Sequence, residues 1–159
     1  MEPLPSQWWP MFRGQFVHSI DSKGRVSIPA RFRDVLAKEQ NSRLIVTPAP
    51  FDPCLHVYPL SAWQDLECKI AELSSLDPNI VRLRRIYISA AIECDPDRVG
   101  RILVPNHLRE SASLGKDALW AGTGRFAELW SKERWDVAIQ IDEDQFEAFR
   151  KAVVETVRI

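Results

Sequence analysis

The sequence has no apolar run approaching the roughly 20 residues that cross a bilayer. Met1-Glu2-Pro3-Leu4-Pro5-Ser6 lacks the basic and apolar regions of a signal peptide. Together these absences lead us to expect a soluble cytoplasmic protein with no membrane partner. Cysteine is scarce: Cys54, Cys68 and Cys94 are odd in number and widely spaced, with no Cys-x-x-Cys pair and no histidine at ligand spacing. A disulfide framework and a thiolate metal site are therefore not expected, and the three read as buried apolar thiols. His18, His56 and His107 stand singly and read as structural or surface residues. No Ser/His/Asp or Cys/His arrangement is visible, and no glycine-rich phosphate loop precedes a helix. Gly122-Thr123-Gly124 is too short to count as one. Asp142, Glu143, Asp144 and Glu147 lack the order of a calcium loop and instead suit a helix start, where negative charge complements the dipole. The expectation is no enzyme, no catalytic residue, no metal and no cofactor.

What is present is ordinary globular material, 45% apolar and 27% charged, in a chain long enough to bury a core without metals or disulfides. The formal net charge of −1 hides an uneven distribution. From Arg13 to Arg43 seven basic residues face three acidic ones, whereas from Glu128 to Glu155 eight acidic residues face four basic ones. Such asymmetry is compatible both with a basic binding face and with an unevenly charged solvated surface.

Organisation comes from an internal repeat. Asp21-Ser22-Lys23-Gly24-Arg25-Val26-Ser27-Ile28-Pro29 lies beside Asp97-Arg98-Val99-Gly100-Arg101-Ile102-Leu103-Val104-Pro105, with Asp, Gly, Arg and Pro coincident. Arg33 then matches Arg109, and Val57 to Trp63 matches Leu129 to Trp135 at a slightly different offset. Two blocks in the same order indicate a duplication.

Each copy begins with an alternating strand (Phe16–Ile20; Ala91–Cys94), the Asp-x-x-Gly turn, and a strand from the arginine that completes a hairpin. Pro29 and Pro105 then suit the first turn of short helices. Strands follow at Leu44–Thr47 and Cys54–Tyr58, and Ser61 to Gln64 reads as a capping box opening a helix to about Leu73. Asp77-Pro78 starts a helix through Ile86, Gly122 to Gly124 links two strands as a hairpin, and a last helix spans about Asp142 to Val157. The tryptophans Trp63, Trp120, Trp130 and Trp135 read as core or subunit contacts, while Trp8-Trp9 lies in a proline-flanked tail, exposed or pinned on a neighbour. Short strands outnumber long helices, so the class is α+β.

The Asp-x-x-Gly-Arg turn carries the main functional reading. A β-ribbon tip can enter a DNA groove, and Lys23 and Arg25 would be presented there from a rigid turn. Arg31 and Arg33, on the following helix, would grip the backbone. Asp21 and Arg25, four apart, also read as an internal ion pair tying down the turn, the commoner meaning of such a pair. Both readings hold together if the aspartate positions the arginine.

Met11-Phe12-Arg13-Gly14, then Asp21 through Arg33, closely resembles the start of the MraZ family of bacterial transcriptional regulators. Tyr58-Pro59-Leu60-x-x-Trp63, Leu73-Ser74-Ser75-Leu76, Glu93-Cys94, Gly100 to Pro105 and Phe126 to Trp130 extend the likeness over about Met11 to Gln140. The resemblance implies two tandem SpoVT-AbrB units, swapped hairpins that interlace into one pseudo-twofold barrel with flanking helices. It implies double-stranded DNA as partner, through G-rich direct repeats at the promoter of the division and cell-wall gene cluster. It also implies mainly repression, a ring-shaped homo-oligomer and association with the nucleoid. The family's DNA-binding Asp-x-x-x-Arg motif maps onto Asp21 to Arg25 and Asp97 to Arg101. The expected DNA-binding set is therefore Arg13, Asp21, Lys23, Arg25, Arg31, Arg33, Asp97, Arg98 and Arg101. The second turn carries Arg98 at the Ser22 position and Val99 beside its glycine, so its charges do not superpose on the first. We expect the first turn to read DNA and the second to be chiefly its structural twin.

The expected layout is residues 1–10 as an N-terminal extension, 11–60 and 90–133 as the two units, 61–89 as linking helices, and 134–159 as a C-terminal helical segment. The extension reads as an upstream start codon or a lineage-specific arm. The rival reading is an antitoxin-like or structural interaction protein of the same fold, which predicts a disordered partner-binding tail.

Overall fold

A computed structural model describes residues 11–159. The expectations for Met1–Pro10, including Trp8-Trp9, lie outside the described residues. The first repeat supplies β1 (Phe12–Ser19), β2 (Arg25–Ser27), α1 (Ala30–Leu36), β3 (Leu44–Pro48), β4 (Leu55–Pro59) and α2 (Leu60–Ala71). The helix α3 (Pro78–Leu83) follows and widens into a π-helical turn over Arg84–Ile88. The second repeat supplies β5 (Ile92–Cys94), β6 (Arg101–Leu103), α4 (Asn106–Ser111), β7 (Asp117–Gly124), β8 (Ala127–Ser131) and α5 (Lys132–Ala138). The last element is α6 (Glu143–Val157). The α+β class expected from the sequence is what the chain adopts.

The strands form a six-stranded antiparallel sheet in the order β1-β7-β8-β4-β3-β5 and a two-stranded ribbon of β2 and β6. The six-stranded order is symmetric under exchange of the repeats: β1 lies on β7 and β5 on β3, so each repeat lends its first strand to the other. The equivalent strands β4 and β8 meet at the centre with His56 opposite Glu128, and β2 meets β6 with Val26 opposite Ile102. Both pairs join positions that match in the repeat, so one pseudo-twofold axis runs through them. The six-stranded sheet ends on β1 and β5 rather than closing on itself.

This exchange corrects the local hairpins expected at each Asp-x-x-Gly turn. Within the first copy a single bridge, Ile20 to Val26, joins the two strands. The ladder hydrogen bonds go to the other repeat instead, β1 to β7 and β2 to β6. Glycine sharpens the β1–β7 contact: Gly122 lies so close to Arg13 that a Cβ there would sit 2.3 Å from the Arg13 backbone nitrogen.

Period-two alternation places Val26 and Ile102 inward, and they join Phe32, Leu55, Val104, Leu108, Trp120 and Leu129 in one core that contains both repeats. Phe32 meets Phe12, Phe16 and Trp120 edge-on at centroid separations of 5.2, 5.4 and 6.1 Å. The Trp120 indole N–H donates to the Ser27 carbonyl at 3.0 Å, tying the ribbon to the large sheet. A second core of Ile45, Tyr58, Ala62, Trp63 and Tyr87 lies beneath α2 and the π-helical turn.

Two further expectations change. The capping box at Ser61 to Gln64 does not form: α2 begins two residues earlier, with Pro59 at the N-cap position and no side-chain cap. The Ser61 hydroxyl donates instead to the Glu39 carboxylate, at 2.9 Å from Oε2. The helix from Asp77 is capped by the Asp77 carboxylate, which accepts from the Asn79 amide at 2.9 Å, but it widens at Arg84. There the Tyr87 carbonyl accepts from the buried Thr47 hydroxyl at 2.7 Å, a tertiary bond that competes with regular helical pairing.

Candidate nucleic-acid interface

The two Asp-x-x-Gly-Arg turns have the same geometry. Asp21 Oδ1 accepts from the Lys23 and Arg25 amides at 3.0 and 2.9 Å, and its Oδ2 accepts from Arg25 Nε at 2.7 Å. Asp97 Oδ1 accepts from the Val99 and Arg101 amides at 3.0 and 2.9 Å, and its Oδ2 accepts from Arg101 Nε at 2.9 Å. Each turn closes with a glycine at positive φ, +91° at Gly24 and +80° at Gly100, a conformation that L side chains resist. The Arg25 amide, more than any other group, holds the Asp21 carboxyl at a pKa of about 2; the Arg25 side-chain bond, the Lys23 amide and the Arg25 charge add to this, and desolvation opposes it. Asp97 is lowered likewise, first by the Arg101 amide. The internal ion pair expected from the spacing is thus present in both copies.

The ion pair does not consume the arginines. It uses Nε alone, so among the described residues the terminal amino groups of each guanidinium keep their donors for an outside acceptor. In the ribbon Arg25 stands opposite Leu103 and Ser27 opposite Arg101. Since Val26 and Ile102 point inward, these four share the outer face, with the two arginines on its diagonal. Lys23 and Arg98 are exposed on the turns beside them. The basic face is therefore two-sided rather than concentrated at the first turn.

Other expected residues fall elsewhere. Arg13 is exposed on β1, eight residues before Asp21 and therefore about 26 Å away along an extended strand. Arg31 is exposed at the start of α1. Arg33 lies across the second turn, so close that a Cβ on Gly100 would meet its Cδ at 2.7 Å. Its repeat partner Arg109 covers Gly24 in the same way and donates from Nε to the Val104 carbonyl at 3.0 Å. These two arginines brace the opposite repeat's turn. Sequence reasoning matched Arg109 to Arg33 but did not place it at the site, because the exchange of turns between repeats has no local signal. Ser27 and Leu103 were likewise missed, although strand alternation marks both as outward.

The fold and site thus define a duplicated α+β chain whose two copies exchange strands and present paired, aspartate-held arginines on one ribbon face. The family model for MraZ proteins, whose description adds an antitoxin-like label, matches residues 11–85 and again 87–156. A Syntrophobacter fumaroxidans protein called "Transcriptional regulator MraZ" is 40% identical over 92% of this chain and 97% of its own length. Proteins of the same name from Desulforamulus reducens and Azotobacter vinelandii are 42% and 44% identical, covering 91% and 79% of this chain and 99% and 82% of their own lengths. The chain belongs to the MraZ family.

Proposed function

We propose that the chain is a sequence-specific DNA-binding transcriptional regulator without enzymatic activity, acting as a repressor of the bacterial division and cell-wall gene cluster. Its operator is a set of G-rich direct repeats, and it works in the cytoplasm on the nucleoid. The observation that carries this reading is the ribbon face, where Arg25 and Arg101 are held by Asp21 and Asp97 with their outer donors spare. A guanidinium fixed in this way loses little freedom on binding and can bond guanine O6 and N7 or a phosphate in two-pronged fashion. The name shared by the relatives supports the regulatory role.

The two units interlace as swapped hairpins in this reading, and several chains assemble into a ring on successive repeats. The exposed apolar side chains Phe146, Phe149, Val154 and Val157 of α6 support assembly, since no residue of that helix is buried within one chain. One face offers only a few contacts and is weak and salt-sensitive. Linked faces on repeated sites gain roughly 10²–10⁴ in avidity. The same apolar helix also suits the antitoxin-like alternative, in which it would hold a different protein.

A mobility-shift titration with the DNA upstream of the chain's own gene tests the proposal. Wild type should bind that DNA more tightly than random sequence at physiological salt, and Arg25→Ala should lose the preference. Equal binding to both DNAs would overturn the regulator reading. Normal binding by Arg25→Ala would overturn only the site.

A further inference from the structure

A cluster unrelated to the arginine face lies where β4 and β8 cross the pseudo-twofold axis. Cys54, buried just before β4, brings its sulfur to 3.8 Å from Glu128 Oε2. His56 Nε2 lies 3.4 Å from the same oxygen, and one ligand atom from each of the three residues falls within 4.8 Å of the others. We propose that Cys54, His56 and Glu128 form a binding site for one divalent transition-metal ion of the zinc class.

Three observations support it. The first is geometry. Around a tetrahedral zinc ion the N···O edge is about 3.3 Å and the S···O edge about 3.5 Å, from bonds of roughly 2.0 to 2.3 Å. The observed N···O and S···O edges are 3.4 and 3.8 Å and all three ligand atoms lie within 4.8 Å of one another, so side-chain rotation would draw them together around an ion. Next comes orientation. His56 Nδ1 lies 2.6 Å from the Tyr87 hydroxyl, which in turn lies 2.9 Å from that of Tyr58. A proton on Nδ1, donated to Tyr87, leaves the Nε2 lone pair directed at the cluster. The Trp130 indole N–H donates to Glu128 Oε1 at 3.1 Å and leaves Oε2 for the shared centre. Outer partners of this kind fix metal-bound histidine and carboxylate groups.

The last observation is charge. With the Nδ1 proton given to Tyr87, Nε2 and the Glu128 carboxylate would both present lone pairs 3.4 Å apart, an arrangement that a cation between them would satisfy. A divalent ion favours the thiolate form of a cysteine that coordinates it. On binding, Cys54 loses its proton to solvent, and thiolate, carboxylate and neutral imidazole together cancel the ion's charge. No electron is transferred. The His56 and Glu128 side chains are 12% and 15% exposed, which leaves a route for the ion and a fourth position for water. Such a site would staple the first repeat to the second at the centre of the six-stranded sheet.

The test uses untagged, metal-stripped protein titrated with Co²⁺ and Zn²⁺. We expect one Co²⁺ per chain with a thiolate charge-transfer band, displacement by Zn²⁺, and a melting temperature that rises with free Zn²⁺ and falls again with chelator. Cys54→Ser should abolish the band and His56→Gln should weaken binding at least tenfold, whereas Cys68→Ser and Cys94→Ser should bind as wild type. Circular dichroism of the stripped variants separates lost ligands from lost folding. If the stripped variants do not fold, cadmium-113 resonance of the wild-type chain, shifted by a sulfur ligand, decides instead. No binding at micromolar metal, or a cobalt spectrum unchanged by Cys54→Ser, would overturn the proposal.

Discussion

Arg109 lies across Gly24 so closely that a Cβ added there would sit 2.8 Å from its Nε and the same distance from the Val104 carbonyl oxygen. The turn that carries Arg25 is thus shaped by a side chain from the other repeat. Gly24→Ala must force a strained left-handed backbone and push that brace away. A loss of about 1–3 kcal/mol is expected from the backbone alone. Gly100→Ala, facing Arg33, should behave alike, and thermal unfolding of both variants checks this. A melting temperature equal to wild type would mean that the braces are incidental.

The matched geometry of the two turns makes a second prediction about DNA. Arg101→Ala should weaken binding as Arg25→Ala does, each by about 1–3 kcal/mol if the side chain reads a base. If it instead meets a phosphate, each loss should lower the slope of log affinity against log salt by about one. Affinity measured at several salt concentrations separates the cases. Were Arg101→Ala without effect, the first turn alone would be the reader, as the charge pattern of the sequence first suggested.

Acid should loosen both turns. Asp21 is held at about 2 and Asp97 is also lowered, so each binds its proton less readily folded than unfolded. Their contribution to stability is fully present above the unfolded value of roughly 3.9 and disappears as pH falls toward the folded values. Urea midpoints measured from about pH 6 to pH 2 should therefore drop through that window. The Asp21→Asn, Asp97→Asn double variant should show a shallower drop. Carbon-13 titration of the two carboxyls gives the same information residue by residue.

Phe32 is 1% exposed and touches three aromatic rings drawn from β1 and β7 as well as serving its own helix. Phe32→Ala should cost about 3–5 kcal/mol, the range for truncating a buried aromatic residue. Because the core contains both repeats, unfolding should remain a single transition with no surviving half. Two separate transitions in calorimetry would contradict this.

Much of this architecture can be read from the residues. The duplicated Asp-x-x-Gly-Arg-…-Pro blocks mark both turns, and alternation finds most strands to within one or two residues. Partnership is another matter. Nothing between Phe16 and Ile28 says that β1 will leave its neighbour for β7, because strand alternation specifies a face and not a partner. For the same reason Arg33 looks like a surface cation until Gly100 appears beneath it. The Cys54, His56 and Glu128 cluster is invisible for a related cause: its members are 74 residues apart at most, and only the β4–β8 register brings them together.

The pseudo-twofold axis lies within one polypeptide, and this affects how the protein can vary. In a dimer of identical chains every substitution appears twice, so a change that suits one half of a target is imposed on the other. Here Lys23 faces no second Lys23 but Val99, and Arg98 answers Ser22. Each half of the ribbon can be retuned on its own while the shared core keeps the halves matched. Covalent duplication makes the two-sided face a heterodimer with a fixed composition, which, if it binds DNA as proposed, would be free to recognise a sequence that has no symmetry of its own.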